Sequence, residues 1–313
     1  MLTPEEKSRV LLGCQGWRYA DWRKPPTEEE LEAAPEIFPA GFASEYGDES
    51  SDDPRRADLR APFYIKQIQP RDELKHYSMS FPAVEVDSTF YAIPQRAWVR
   101  NWAAAVGDDF RFALKLPRII THDYGLQRGR GSLNEFCSVA SELGDKLHSI
   151  LVQLPPSFAP EFFDVLARFL PHLPKEIRFA VEFRDPGWIT PATRDLLAQH
   201  NVAFMLGPTP WLGTKVAEPM LDGLPADWLY IRLMGDRDEM SFSHLQIDRD
   251  RELDTWAAHI KRMSAAGTRV LALADNHYQG YSPGTSLLLA RRLDYEIGPF
   301  PGKQPIGDQM NLF

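Results

Sequence analysis

The chain has 313 residues, 43% hydrophobic and 25% charged, enough apolar material for one large α/β domain or two smaller ones. A formal net charge of −9 excludes a surface that coats nucleic acid broadly, although a local basic cleft stays open. No apolar run is long enough to span a bilayer, and residues 1–9 are charged without an apolar centre, so a cytoplasmic location without a membrane partner is expected.

Cys14 and Cys137 are the two cysteines, and they show no metal or disulfide spacing. Both read as buried thiols of a reducing compartment.

Val10 to Cys14 reads as the first strand, followed by a loop dense in aromatics that includes Trp17, Tyr19 and Trp22. An acidic, Pro-rich stretch over about 24–61 offers little that could pack in a core. It reads as an insertion, either a solvated excursion or a lid over the strand ends. A helix is predicted over 70–79, then a strand at Ala83 to Val86 running into Asp87 and Phe90-Tyr91. The helix predicted over 94–106 carries Trp98 and Trp102 at i, i+4, read as core together with Trp256.

Phe110 to Leu114 is the third strand, followed by Lys115, Arg118 and His122. Ser132 and Glu135 read as a capping box opening a helix whose apolar face runs Phe136, Val139, Leu143, Leu147. Ser149 to Leu154 is the fourth strand, and a helix is predicted over 161–170. The fifth strand lies in the stretch 178–185, apolar in its middle and ending in Glu182, Arg184 and Asp185 before Pro186-Gly187-Trp188. A carboxylate and a guanidinium at the end of a buried strand are costly unless paired or used.

Pro191 begins the next helix behind a Thr190 cap, and Val202 to Leu206 is strand six. Four prolines and three glycines over 207–227 argue against a full helix there. Trp228 to Arg232 is strand seven, a helix is predicted over 250–266, and Arg269 to Ala274 is strand eight, leading into Asp275-Asn276-His277. A last helix runs from Ser282 to near Leu293. Eight strands alternating with helices give an α/β fold, an irregular TIM-type (β/α)8 barrel. The expected organisation is one barrel domain over 1–297, with the insertion after the first strand, and a flexible tail over 298–313. A doubly wound open sheet is the alternative, but no Gly-rich phosphate loop follows the first strand.

Several segments resemble the YecE-like family, known as domain of unknown function 72. They are Gly13-Cys14-Gln15-Gly16-Trp17 with Trp22, Val84 to Tyr91, Phe112 to Arg118 with Thr121-His122, Gln153 to Phe158, and Ala180 to Arg184 with Trp188. The resemblance implies a TIM-type barrel and names no reaction. Two departures stand out. The family's strand seven usually ends in Arg, one residue, then His-Gly, where this chain has Arg232-Leu233-Met234-Gly235. Its strand eight usually carries paired asparagines, where this chain has Asp275-Asn276-His277.

On a barrel, the strand ends bring Lys115, Glu182, Asp275 and His122 together as candidate catalytic groups. Arg118, Arg184, Arg232, Asn276, Trp17, Tyr91 and Trp188 are the candidate substrate-binding residues, cations for a phosphate and aromatics for a base or sugar. Against these roles, Glu182 with Arg184 or Arg232 reads equally as an internal ion pair, and Glu85 as a buried partner of Lys115. Asp275 with His277 offers a divalent metal two ligands, but without H-E-x-x-H or clustered histidines a metal is the less favoured reading, and the cofactor stays unknown.

Gln309-Met310-Asn311-Leu312-Phe313 resembles the peptide by which bacterial repair and replication proteins hold the DNA sliding clamp, with Gln309, Leu312 and Phe313 as the partner-binding residues. The competing reading has Leu312 and Phe313 folding back on the last helix. Rim and tail together suggest an enzyme of a phosphate-bearing substrate, with nucleic acid as that substrate and phosphoester hydrolysis as the reaction class. Two other readings stay open: an enzyme of a sugar or sugar phosphate, and a non-catalytic module that binds nucleic acid.

Overall fold

The computed structural model of the chain describes residues 2–27, 29–30 and 62–298. Eight short strands run parallel and close on one another in sequence order. They are β1 (Val10–Gln15), β2 (Ala83–Val86), β3 (Arg111–Lys115), β4 (Leu147–Gln153), β5 (Phe179–Glu182), β6 (Ala203–Leu206), β7 (Trp228–Leu233) and β8 (Arg269–Ala274). The ring closes where Val10 of β1 pairs with Val270 of β8. The insertion expected at 24–61 and the tail expected at 298–313 fall almost wholly outside the described residues.

Side chains alternate between the two sides of each strand. One set, including Val84, Leu114, Val152, Val181 and Ile231, joins the larger core beneath the helices. The other fills the barrel: Ala83, Ala113, Leu151, Ala180, Ala203, Met205, Trp228, Tyr230, Leu271 and Leu273. Volume is traded across this interior. Alanines on β2, β3, β5 and β6 leave room for the indole and phenol of β7. Gly13 on β1 goes further, because a Cβ there would stand 1.9 Å from the Ala83 carbonyl oxygen.

The helices are α1 (Pro4–Lys7), α2 (Glu73–Ser80), α3 (Arg96–Ala104), α4 (Arg130–Ala140), α5 (Phe163–Phe169), α6 (Pro191–Gln199), α7 (Thr214–Ala217), α8 (Asp250–Ala265), α9 (Asn276–Gln279) and α10 (Ser282–Arg292). Between β6 and β7 only α7 and a 3-10 turn at Glu218–Asp222 form, as the prolines and glycines there predict. No helix among the described residues is long and apolar enough to cross a membrane.

Three local expectations are corrected. The capping box of Ser132 and Glu135 does not form. The helix starts three residues earlier, behind Gly129 at φ 89°, where a Cβ would press to 2.8 Å from the Tyr124 ring. The same helix ends at Ala140, a 3-10 segment follows with Gly144 at φ 57°, and Leu147 already belongs to β4. Trp98 is not core: it is 54% exposed and Trp102 is half-buried, while Trp256 is buried as expected.

Candidate functional site

The inward positions of β7 alternate Trp228, Tyr230, Arg232, so the third lies at the carboxyl end of the barrel, inside it. Arg232 is 1% exposed. One Nη donates to Gln15 Oε1 at 2.6 Å and Glu85 Oε1 at 2.7 Å. The other donates to Glu182 Oε2 and, more weakly, to Gln153 Oε1 at 3.5 Å. The Tyr230 hydroxyl donates to the second Glu85 oxygen at 2.6 Å. A guanidinium taken out of water is tolerable only with such partners.

The two glutamates sharing Arg232 are driven in opposite directions. Burial pushes Glu85 up to about 8 despite Arg232, with Asp87 adding to the rise. Glu182 is equally buried, but Arg232, Arg184 and Lys115 together outweigh burial and hold it below the usual carboxylate range. Carboxyls set apart in this way can take different proton states at one pH.

The Glu85–Lys115 pair expected from sequence does not form, because Arg232 and Tyr230 occupy both oxygens of Glu85. Lys115 Nζ instead lies 3.7 Å from Asp87 Oδ1 and 4.4 Å from the centre of the Phe90 ring. Burial lowers the Lys115 amine and Arg232 adds to this, with Asp87 opposing. Burial would raise Asp87, but Lys115 and Arg232 hold it low. The Thr89 hydroxyl accepts from Lys115 N at 3.0 Å and donates to Lys115 O at 2.7 Å, fastening the turn after β2 to the end of β3.

Arg184 Nε donates to Glu182 Oε1 at 3.0 Å, and its guanidinium lies 3.7 Å over the Trp211 ring. Its Nη2 is buried without a hydrogen-bond partner among the described residues. His122 stands on a π-type turn, Ile119–Asp123, with Nδ1 2.8 Å from Thr121 Oγ1 and its ring edge-on to Phe90. Burial, then Arg184, Lys115 and Arg118, lower the imidazole to about 4. Arg118 itself is exposed and paired with Asp123 at 3.0 Å.

The structure therefore brings Lys115, His122, Glu182, Arg184 and Arg232 together, and gives the other candidates different partners. Asp275 caps α9, accepting from His277 N at 2.7 Å, with His277 Nδ1 at 2.9 Å. Asn276 is buried, its Oδ1 accepting from Trp22 Nε1 at 3.1 Å and Ser282 Oγ at 2.8 Å. Trp188 has no exposure; it donates to Phe158 O at 2.7 Å and stacks on Phe183 at 4.6 Å, in the core rather than at the mouth. Tyr91 is 74% exposed beside Phe90. Trp17 is half-buried against Trp102. Among the described residues, no three His, Cys, Asp or Glu side chains are grouped to hold a metal ion. Gln309, Leu312 and Phe313 lie outside the described residues. Trp211 and Tyr230 were missed, Trp211 because its loop has no periodicity and Tyr230 because only barrel register shows it pointing at Glu85.

A family model described as "Protein of unknown function DUF72" matches residues 55–307. The chain belongs to the DUF72 family. UPF0759 protein YecE of Escherichia coli K12 is 35% identical over 113 residues, a match spanning 36% of this chain and 42% of YecE. The match therefore covers less than half of that relative. UPF0759 protein YunF of Bacillus subtilis is 23% identical over 77% of this chain and 93% of YunF. A DUF72 crystal structure from Thermotoga maritima covers 91% of this chain and 99% of its own at a TM-score of 0.62 and 20% identity. One from Enterococcus faecalis covers 71% and 94% at a TM-score of 0.58 and 20% identity. The likeness to both is one of fold. Met234, just past β7, is buried. Gly235 follows because a Cβ there would meet the His277 carbonyl oxygen at 2.0 Å.

Proposed function

We propose that the barrel mouth is the active site of an enzyme that acts on a phosphate-bearing substrate, with hydrolysis of a phosphoester as the reaction. The observation that carries this is the gathering of Lys115, Arg184 and Arg232 at the barrel mouth beside His122, whose imidazole is pushed down by burial first and then by Arg184, Lys115 and Arg118. Cations gathered in this way favour an anion beside them. Arg184, whose Nη2 has no hydrogen-bond partner among the described residues, and Lys115 supply the positive charge for phosphate oxygens. Glu182 orients Arg184, and Arg232 holds Glu182 in turn. Water adds to phosphorus, the bond to the leaving oxygen breaks, and the water's proton passes through His122 to that oxygen. A bound phosphate dianion raises the imidazole toward its ordinary range, which suits it to both transfers.

Nucleic acid as the substrate rests on the motif at Gln309, Leu312 and Phe313, which we propose holds a DNA sliding clamp. The net charge of −9 favours a second reading, a small sugar phosphate. The test is phosphate release or strand cleavage from phosphomonoesters, nucleotides, and nicked or abasic DNA, with wild type and H122A side by side. Turnover lost in H122A supports the site, and turnover unchanged in H122A removes it. Clamp binding by the full chain, abolished on deleting 309–313, decides the partner.

A further inference from the structure

Beside the mouth lies a cavity of about 660 Å³, in the size range of small-molecule sites. Trp17, Arg18, Asp87, Trp98, Asn101 and Trp102 line it. Trp98, Asn101 and Trp102 stand at i, i+3 and i+4, on one face of α3. Trp102 is held edge-on by Trp17, centroids 5.8 Å apart. Trp98 has no such neighbour among the described residues, and its indole is 54% exposed within the cavity. An indole open to a cavity in this way is a stacking surface for a flat ring. The Asn101 amide makes no hydrogen bond among the described residues and can pair a donor and an acceptor with the edge of a base.

Asp87 belongs to both spaces. It lines the cavity, and its Oδ1 faces Lys115 at 3.7 Å and Arg232 at 3.8 Å. That oxygen is buried against the two cations, while the Asp87 side chain as a whole is 32% exposed. A carboxylate held by cations on one side and open on the other, beside an aromatic cavity, is suited to the hydroxyls of a sugar.

We propose that this cavity binds a nucleobase, so that the substrate is a nucleotide with its base on Trp98 and Asn101, its sugar at Asp87 and its phosphate at Lys115 and Arg184. The phosphate end of this assignment rests on the function proposed above; the ring end rests on the cavity alone.

Calorimetric titration of the full chain with AMP, CMP, ribose 5-phosphate, inorganic phosphate, adenosine and cytidine tests it. AMP or CMP is expected to bind about tenfold or more tighter than ribose 5-phosphate, the size of one base stacking on an aromatic side chain. W98A is expected to lose that advantage and W98F to keep most of it; Trp98 is exposed, so both variants fold. Equal affinity for nucleotide and ribose 5-phosphate in the wild type, or an advantage that survives W98A, overturns the ring site. Should the phosphates fail to bind while a nucleoside binds through Trp98, the ring site stands and the phosphate reading falls. Should nothing in the set bind, both fall. A thymidine oligomer titrated against TMP then separates a polymer source from a free nucleotide.

Discussion

Arg232 and Glu85 meet at 2.7 Å inside the barrel, with Tyr230 closing on the other carboxylate oxygen at 2.6 Å. Burial nonetheless pushes Glu85 up to about 8 from its ordinary 4.5. The folded protein keeps a proton that the unfolded chain gives up near 4.5. Stability contributed by this group is therefore complete below pH 4.5 and is lost as pH rises toward 8, at no more than about 1.4 kcal/mol per pH unit. Urea unfolding between pH 4.5 and 8.5 should show that decline, and E85Q, which resembles the protonated form, should flatten it. An E85Q profile parallel to wild type would show that Glu85 is ionised throughout.

Removing the other partner takes away the guanidinium that Glu85 and Glu182 share and leaves Glu182 with Arg184 alone. R232A is expected to cost about 3–5 kcal/mol, because Glu182 and Glu85 then share no guanidinium. R232M with E182Q and E85Q keeps the volume and removes the charges, and should recover most of the loss. Denaturant midpoints at one pH compare the variants. If the triple variant is as weak as R232A, packing rather than charge is what Arg232 supplies.

His122 should titrate near 4 by NMR of its imidazole, against about 6.5 for an open histidine. Adding inorganic phosphate should move the midpoint upward, and R184A should raise it without phosphate. A midpoint near 6.5 in the free wild-type protein would remove the electrostatic basis of the proposed site.

Trp188 lies in the core, stacked on Phe183 and hydrogen-bonded to Phe158. W188A is expected to cost about 3–5 kcal/mol of stability, as for a large aromatic removed from a packed interior. Ligand affinity measured well below the melting temperature should hardly change. A variant of full stability with weakened binding would return Trp188 to the site.

At Gly235 a Cβ would stand 2.0 Å from the His277 carbonyl oxygen. G235A is expected to destabilise by about 1–3 kcal/mol through overpacking, because backbone rather than a flexible side chain is in the way. Thermal unfolding reads this directly.

The eight strands were legible because each is a short, largely apolar run, which is how a strand covered on both faces must read, and those of β2, β3, β5, β7 and β8 lead into a charged residue. That Glu182 pairs with Arg184 and Arg232 was also open to view, since a buried charge needs a partner. Which partner Glu85 takes was not. It depends on Tyr230 and Arg232 sharing its layer across the barrel, and layer is set by register rather than by spacing along the chain. The aromatics were misread for a related reason. Trp98 and Trp102 have core spacing, but spacing does not say whether a neighbouring loop covers the face; over Trp98 the structure leaves a cavity. Trp188 follows the chemical end of β5, yet the 3-10 turn at Pro186–Trp188 carries its ring outward against Phe158.

A single guanidinium on β7 is bonded to side chains of β1, β2, β4 and β5. All four of those strands precede it along the chain, so a chain that stops short of β7 holds Glu85 and Glu182 without the group that lies between them. The charged layer is complete only with β7 in place, one strand before β8 closes the ring on β1. A fragment ending before Trp228 should remain an open, protease-sensitive array, and adding the remaining segment as a separate piece should protect it.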